Sequence, residues 1–454
     1  MVRFAALAFI VCLHAVTSAC SSRATPAEPP APAAPRPDPV LDDCALIAGP
    51  GEPVTTVGLG ERVDPANAPH PSNESERLLF RQLYETLVRV DCHGRVAPGL
   101  ASSWQFDPQG RAWIVTLREQ ARFSDGTLVT AADVRAGWTR DDAGDELQPK
   151  VSRLVESVVA RDDRTLAITL RSQGVDAPLA LAHTDMAVAR IRTGSPWPIG
   201  TRSSRIASVP APDAAAADAI VLERDGLAPV RFLASRHDPR DLLDEGVDLL
   251  LTRDPAALDY AATLVHFHSV PLAWRRTYVL LAAGRARTPP ALSDEARQAL
   301  ADDAVRGEAR GAQGPFWWQA QPDCEISGAP LRNGTTVTPR IVYDAADAAA
   351  RDLAGRLVGL AAYRRATGLS GEALTRARRL GTDAGYVMSL ESRPVDPCRE
   401  LQVLIDSAPW LDPATIVPLV DTRLQAIVRR GRSGVTVEWD GGLLLGPANN
   451  PDER

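Results

Sequence analysis

The side chains that could do chemistry in this chain are few and scattered. His266-Phe267-His268 puts two imidazoles on the same side of an extended segment, a spacing that can hold a metal ion. No carboxylate or third histidine lies near them in sequence, so a strand with polar exposed positions accounts for the pair, and no metal site is expected. Phe316-Trp317-Trp318, set between Gly314-Pro315 and Gln319, is an aromatic cluster in a loop. Such rings can stack on a ligand, though at a lobe edge they more often pack as core. Past the first twenty residues the cysteines are Cys44, Cys92, Cys324 and Cys398. An even set in an exported chain favours disulfides, and no C-x-x-C spacing supports a zinc site instead. Three pairings are possible; proximity along the chain favours Cys44–Cys92 and Cys324–Cys398. The chain lacks G-x-S-x-G, H-E-x-x-H, a Walker loop and G-x-G-x-x-G. Neither enzymatic activity nor a cofactor is expected.

The elements that must position these groups alternate between strand and helix. Val54 to Gly60 reads as a short apolar strand. Leu78, Leu79, Leu83, Tyr84, Leu87 and Val88 then recur at helical spacing, with Ser75 as the cap. Trp113 to Leu117 is a strand, and Phe123-Ser124-Asp125-Gly126-Thr127 is a turn. Thr130 caps a second helix that carries Asp133 at its third position, where the helix dipole favours an acid. Leu154 to Leu170 reads as two strands around Asp162-Asp163-Arg164. Continued alternation to the end predicts an α/β protein. Nothing repeats at a fixed period, which removes solenoids and propellers.

The first residues point to export. Arg3 precedes an apolar run from Phe4 to Val16, shorter than the roughly 20 residues that span a bilayer. A secretion signal has this form. Thr17-Ser18-Ala19-Cys20 looks like a lipobox, with Thr17 where Leu usually stands; an ordinary signal cut near Ala19 is the other reading. A lipid on Cys20 would hold the chain to a membrane in the periplasm or cell envelope. Ser21 to Val40 is dominated by Ala and Pro and cannot bury enough surface to fold, so it serves as a tether. The rest of the 454 residues exceeds the usual size of one core, so two or more lobes are expected. The formal charge of −7 is spread along the chain and offers no basic patch for nucleic acid. Lys150 is the only lysine, a bias that also scatters arginine everywhere.

From Leu79 to Trp138 the order of fixed positions resembles the family 5 (peptide/nickel-type) substrate-binding proteins of ABC transporters. Tyr84-Glu85-Thr86-Leu87, Gly94, Pro98-Gly99-Leu100-Ala101 and Trp104 stand where that family has "YETL" and "G-x-x-x-PGLA-x-x-W". Leu117-Arg118, Phe123-Ser124-Asp125-Gly126 and Thr130-Ala131-Ala132-Asp133-Val134 continue it. Any one of these alone would carry no weight; so many in order do. The likeness thins afterwards, through Pro198-Ile199-Gly200-Thr201, Leu243 to Asp248, and Tyr278-Val279-Leu280 with Arg297-Gln298-Ala299-Leu300 and Arg306.

The resemblance implies an α/β, two-lobed fold of the periplasmic-binding-protein type II, in its large three-segment variant, with a hinge. Lobe I would comprise residues 43–75, 165–255 and about 415–454, with 76–164 as an additional subdomain; lobe II would comprise 256–414. Residues 1–19 would be the signal and 20–42 the tether. A monomer is expected, capturing a small molecule or peptide between its lobes and passing it to an ABC permease. A fold-retaining envelope scaffold or sensor with no transport role is the rival. The resemblance draws ligand-binding residues from both lobes: Tyr84, Glu85, Gly200, Thr201, Trp317, Trp318, Arg393 and Asp396.

At one point the pattern breaks. Peptide-binding members carry a late "W-x-x-D-Y-x-x-P" whose Asp meets the peptide's amino terminus. The nearest match, Leu390 to Pro397, has Leu390 for the Trp and Arg393 for that Asp. A guanidinium suits a carboxylate or phosphate and cannot hold an ammonium. Either the ligand lacks a free amine, or Glu391 or Asp396 has taken over, or the site has decayed and Arg393 is a solvated surface residue.

Overall fold

The computed structural model describes residues 44–140, 146–171, 176–207, 219–235, 238–283, 292–302, 307–309, 338–360, 363–392 and 394–446. All of them fall in the compact unit Asp42–Arg454. The chain opens with β1 (Thr56–Leu59) and α1 (Glu74–Arg81). Helix α1 is shorter than the periodicity to Val88 predicts, and it starts earlier. Asn73, not Ser75, is the cap, its side chain accepting from the Glu76 amide at 2.8 Å. Ser75 instead accepts from the Glu61 amide through its hydroxyl. The helix stops because the next turn is held by distant partners. The Leu83 carbonyl accepts from the Thr201 and Arg202 amides, both at 3.1 Å.

A separate sheet of order β2-β3-β5-β4 follows, from β2 (Ala101–Asp107), β3 (Ala112–Leu117), β4 (Val155–Ala160) and β5 (Thr165–Leu170). Between β3 and β4 stands α2 (Ala131–Trp138), closed by a reciprocal Thr130–Asp133 capping box. The apolar core beneath this sheet runs from Leu87 to Val188. The β3–β5 and β4–β5 ladders join strands on both sides of residue 164, and the apolar cluster beneath them extends to Val188.

The main sheet gathers β6 (Arg205–Ile206), β7 (Ala219–Arg224), β8 (Leu227–Ala234) and β9 (Leu249–Thr252) around β1. Helices α3 (Pro239–Asp244) and α4 (Pro255–Thr263) start at Asp-Pro pairs, with Asp238 and Asp254 as caps and proline at the first helical position. Strand β10 (Phe267–Ala282) then leaves this half. Lobe II adds β11 (Glu308–Ala309), β12 (Thr338–Asp344), α5 (Ala348–Leu360), β13 (Ala366–Leu369), α6 (Gly371–Leu380), β14 (Asp383–Glu391) and α7 (Pro397–Ser407). Strand β15 (Ile416–Arg429) returns. The sheet order is β13-β12-β14-β10-β15-β9-β1-β8-β7-β6, with β11 also on β15.

Strands β10 and β15 are the bridge. Near one end β9 pairs with β15 at Gln425–Val428; near the other, β14 pairs with β10 at Arg276–Ala282. Their mutual register slips at Pro271/Trp274, Trp274/Arg276 and Tyr278/Val279. Such irregularities bend a strand pair, and this one joins two sheet halves with separate cores. Helix α4 and Phe267 share an apolar cluster with Leu242 and Leu250 of the first half.

Candidate functional site

A cavity of about 300 Å³ lies where three parts meet. Lobe I supplies Pro71, Ser72 and Arg77; the subdomain supplies Lys150, Arg153, Leu154, His183 and Asp185; lobe II supplies Glu391, Val395, Asp396, Arg399 and Glu400. The cation-bearing wall and the main acid-bearing wall thus belong to opposite lobes.

Much of this charge is already committed. Lys150 Nζ donates to the His70 and Pro71 carbonyls at 2.8 and 2.6 Å and to Ser72 Oγ at 3.1 Å, and burial lowers its pKa. Arg77 donates to Thr184 Oγ1 at 2.8 Å and lies 3.6 Å from Glu74. Arg153 reaches across to Glu400 at 2.8 Å. Burial raises the Glu400 pKa, with Arg153 opposing and Glu391 and Asp396 reinforcing. His183 Nδ1 accepts from the Asp185 amide at 3.1 Å, and burial lowers its pKa, which favours the neutral ring.

Asp396 differs. It caps α7, one carboxylate oxygen accepting from the Arg399 amide at 3.0 Å. The residue is only 4 % exposed, and its other oxygen, Oδ2, is buried with no hydrogen-bond partner. Burial raises its pKa, opposed by the Arg399 amide and side chain and by the Cys398 amide. The Nε of Arg399, on the same helix turn, is likewise buried and unmatched. A buried carboxylate oxygen without a donor is costly in the empty site and becomes favourable when a ligand N–H or O–H meets it.

Behind the cavity, Glu74 is ringed by Arg275 at 2.8 Å, Arg253 at 3.2 Å, Arg77 at 3.6 Å and Arg276 at 4.0 Å. Burial alone would raise its pKa, but the arginines prevail and hold it at about 2. Asp440 is held far below the usual carboxylate range, with burial opposing and Arg81, Arg275 and Arg77 prevailing. Arg81 pairs with both Glu438 and Asp440. This network fastens α1 to β10 where the strand bends.

Of the residues the resemblance draws into the site, Asp396 lies on the cavity; Trp317, Trp318 and Arg393 lie outside the described residues. Tyr84, Glu85, Gly200 and Thr201 come together, but on the joint between lobe I and the subdomain. Thr201 Oγ1 accepts from the Glu85 amide at 2.7 Å and donates to the Val188 carbonyl at 3.3 Å. Glu85 faces Arg118 at 3.4 Å, and Tyr84 Oη reaches the Pro198 carbonyl at 3.5 Å. Gly200 packs so closely that a Cβ would stand 2.2 Å from the Leu83 carbonyl oxygen. None of these four lines the cavity. A disulfide joins Cys44 and Cys92; Cys20 and Cys324 lie outside the described residues. His266 is exposed against Phe267, while His268 is half-buried on β10. Sequence reasoning passed over Arg77, Arg153, His183, Asp185, Arg399 and Glu400, which sit in no motif. Lys150 alone carried a signal, as the single lysine.

Residues 95–204 match the family described as bacterial extracellular solute-binding proteins, family 5 Middle. The periplasmic oligopeptide-binding protein OppA of Escherichia coli is 36% identical over 91 residues, 20% of this chain and 17% of that protein. The periplasmic murein peptide-binding protein MppA of the same organism is 38% identical over 78 residues, 17% of this chain and 14% of that one. Curated relatives are matched over 25% or less of their own length. The fold extends further: NikA from Brucella suis, in complex with Fe(III)-EDTA, aligns with a TM-score of 0.55 over 82% of this chain and 95% of its own, at 14% identity. The two-lobed architecture expected from the sequence is thereby established.

Proposed function

We propose that this chain, a relative of the family 5 extracellular solute-binding proteins, captures a small solute between its lobes and delivers it to an ABC permease. The observation that carries the reading is the cavity at the junction of the lobes with Asp396 Oδ2 buried and unmatched on its wall. A ligand amine or amide N–H would satisfy that oxygen, and the fit to an ammonium group is best because the hydrogen bond is then charge-assisted. Peptides are the default class, since OppA and MppA bear peptide-binding names. On this reading Asp396 takes over the amine site that Arg393 cannot serve. Lipidation at Cys20 and the Ala/Pro-rich tether would hold the body at a membrane of the envelope, and Cys20→Ser should release it to the soluble fraction.

Mass spectrometry of small molecules released from the purified protein, followed by calorimetry with the species found, tests the reading. A released solute that binds back one-to-one, and more weakly to Asp396→Asn, supports it. No released solute, and no heat from a panel of di- to pentapeptides, overturns it. The second reading, an envelope scaffold or sensor without transport, draws support from Lys150, Arg77 and Arg153, which pair with the protein's own groups.

A further inference from the structure

We infer that residues 394–400 of lobe II act as a strap that holds the cleft shut before any solute arrives. Val395 is only 8 % exposed, and it packs into the apolar cluster whose other buried members run from Leu87 to Val188. A lobe II side chain thus completes the core of the opposing subdomain. Five residues on, Glu400 meets Arg153 of that subdomain at 2.8 Å. The two contacts act at the same place, because Leu154 lies beside Arg153 and shares the cavity wall with Val395.

Both ends of the clasp are anchored to their own lobes. On the lobe II side, Asp396 caps α7 and fixes the strap to that helix, while the Ser392 amide donates to the Arg275 carbonyl at 2.8 Å. On the other side, the turn Val151–Arg153 is fixed by Lys150, whose ammonium grips the carbonyls of His70 and Pro71. Apolar burial supplies attraction without direction, and the ion pair supplies register. Closure also depends on the bend between the lobes, where the register slips of β10 and β15 lie. A chain whose own contacts favour the closed form needs less from its ligand to stay closed, but the ligand must wait for an opening to enter.

The inference takes the cleft as the solute site, yet its test uses no solute, so the two stand or fall separately. Spin labels at Glu156→Cys on β4 and Asp406→Cys on α7, both exposed positions, report the distance across the cleft in the ligand-free protein. The native sequence should give one short, narrow distance distribution. Val395→Asp should shift it to longer and broader distances, with circular dichroism confirming that the variant is folded. Glu400→Arg should do the same, and adding Arg153→Glu should restore the short distance by re-forming the pair with reversed charge. A long distance in the native ligand-free protein overturns the strap, as does a short one that Glu400→Arg leaves unmoved.

Discussion

The joint around Gly200 and the wall around Asp396 are both crowded and both polar, yet they are built to opposite ends. At the joint, the Glu85 amide meets Thr201 Oγ1, the Glu85 carbonyl accepts from Val188, and the Leu83 carbonyl accepts twice. At the wall, a buried carboxylate oxygen is left unmatched. Saturated polar groups fix one geometry; unsaturated ones hold a place for something else. Tyr84, Glu85, Gly200 and Thr201, which the family likeness draws into a site, fall at the joint, and Asp396, the proposed solute contact, falls at the wall. At those four positions the motif is a fastening.

The largest effect should come from breaking the fastening. Gly200→Ala would place a methyl group 2.2 Å from the Leu83 carbonyl oxygen. The obstacle is backbone and cannot swing aside, so destabilisation of about 3 kcal/mol or more is expected. Thermal unfolding measures it, and an unchanged midpoint would show that the joint is looser than the wall it supports.

Next comes the charge network behind the cavity. Glu74→Gln leaves Arg275, Arg253 and Arg77 facing one another around a neutral amide, and about 2–3 kcal/mol should be lost. The same network sets an acid limit. Glu74, at about 2, and Asp440 both titrate below their unfolded values near 4. The folded state then binds fewer protons than the unfolded chain, so their stabilisation is full above about pH 5 and drains as the pH falls toward 2. Midpoints recorded from pH 5 down to pH 2 should fall steeply in the native chain and more gently in Glu74→Gln.

A quieter substitution separates the wall from the joint. Asn caps a helix as well as Asp does, so Asp396→Asn should change stability by only about 0.5 kcal/mol. Solute affinity should fall tenfold or more, because a charge-assisted hydrogen bond to the ligand becomes a neutral one. Calorimetry and thermal unfolding on the same preparation would expose the reverse pattern, which would make Asp396 a cap and nothing more.

What the sequence made legible follows the same division. Strands such as Trp113 to Leu117, and the Thr130–Asp133 cap, are local, because neighbouring residues supply their bonds. The family run announced the two-lobed fold, since a fixed order of turns and caps constrains a topology. The end of α1 at Arg81 was not legible: Leu83, Leu87 and Val88 keep helical spacing, and what stops the helix is a pair of amides more than a hundred residues away. The cavity wall was hidden for a like reason. Arg153 and Glu400 are ordinary surface types, 247 residues apart, and only the fold turns them into a pair. Asp396 enters as a candidate through alignment; its unmatched oxygen follows from burial, which no spacing encodes.

The smallest expected effect is at Tyr84, and it tests how far the motif is structural. Its ring is buried and packs edge-on against Phe80 at 5.9 Å between centroids, while its hydroxyl reaches the Pro198 carbonyl only at 3.5 Å. Ring packing should therefore dominate, and the hydroxyl contributes little at that distance. Tyr84→Phe keeps the ring and removes only a long hydrogen bond, so stability should move by less than about 0.5 kcal/mol, with solute binding unchanged. A binding loss of tenfold with stability intact would move Tyr84 from the joint to the site, and it would erase the contrast between fastening and wall. Tyr84→Ala, which empties the ring's space, should by contrast cost about 3 kcal/mol or more in stability. The two variants together ask whether the aromatic ring or its polar tip is what the position requires, and the packing geometry answers that it is the ring.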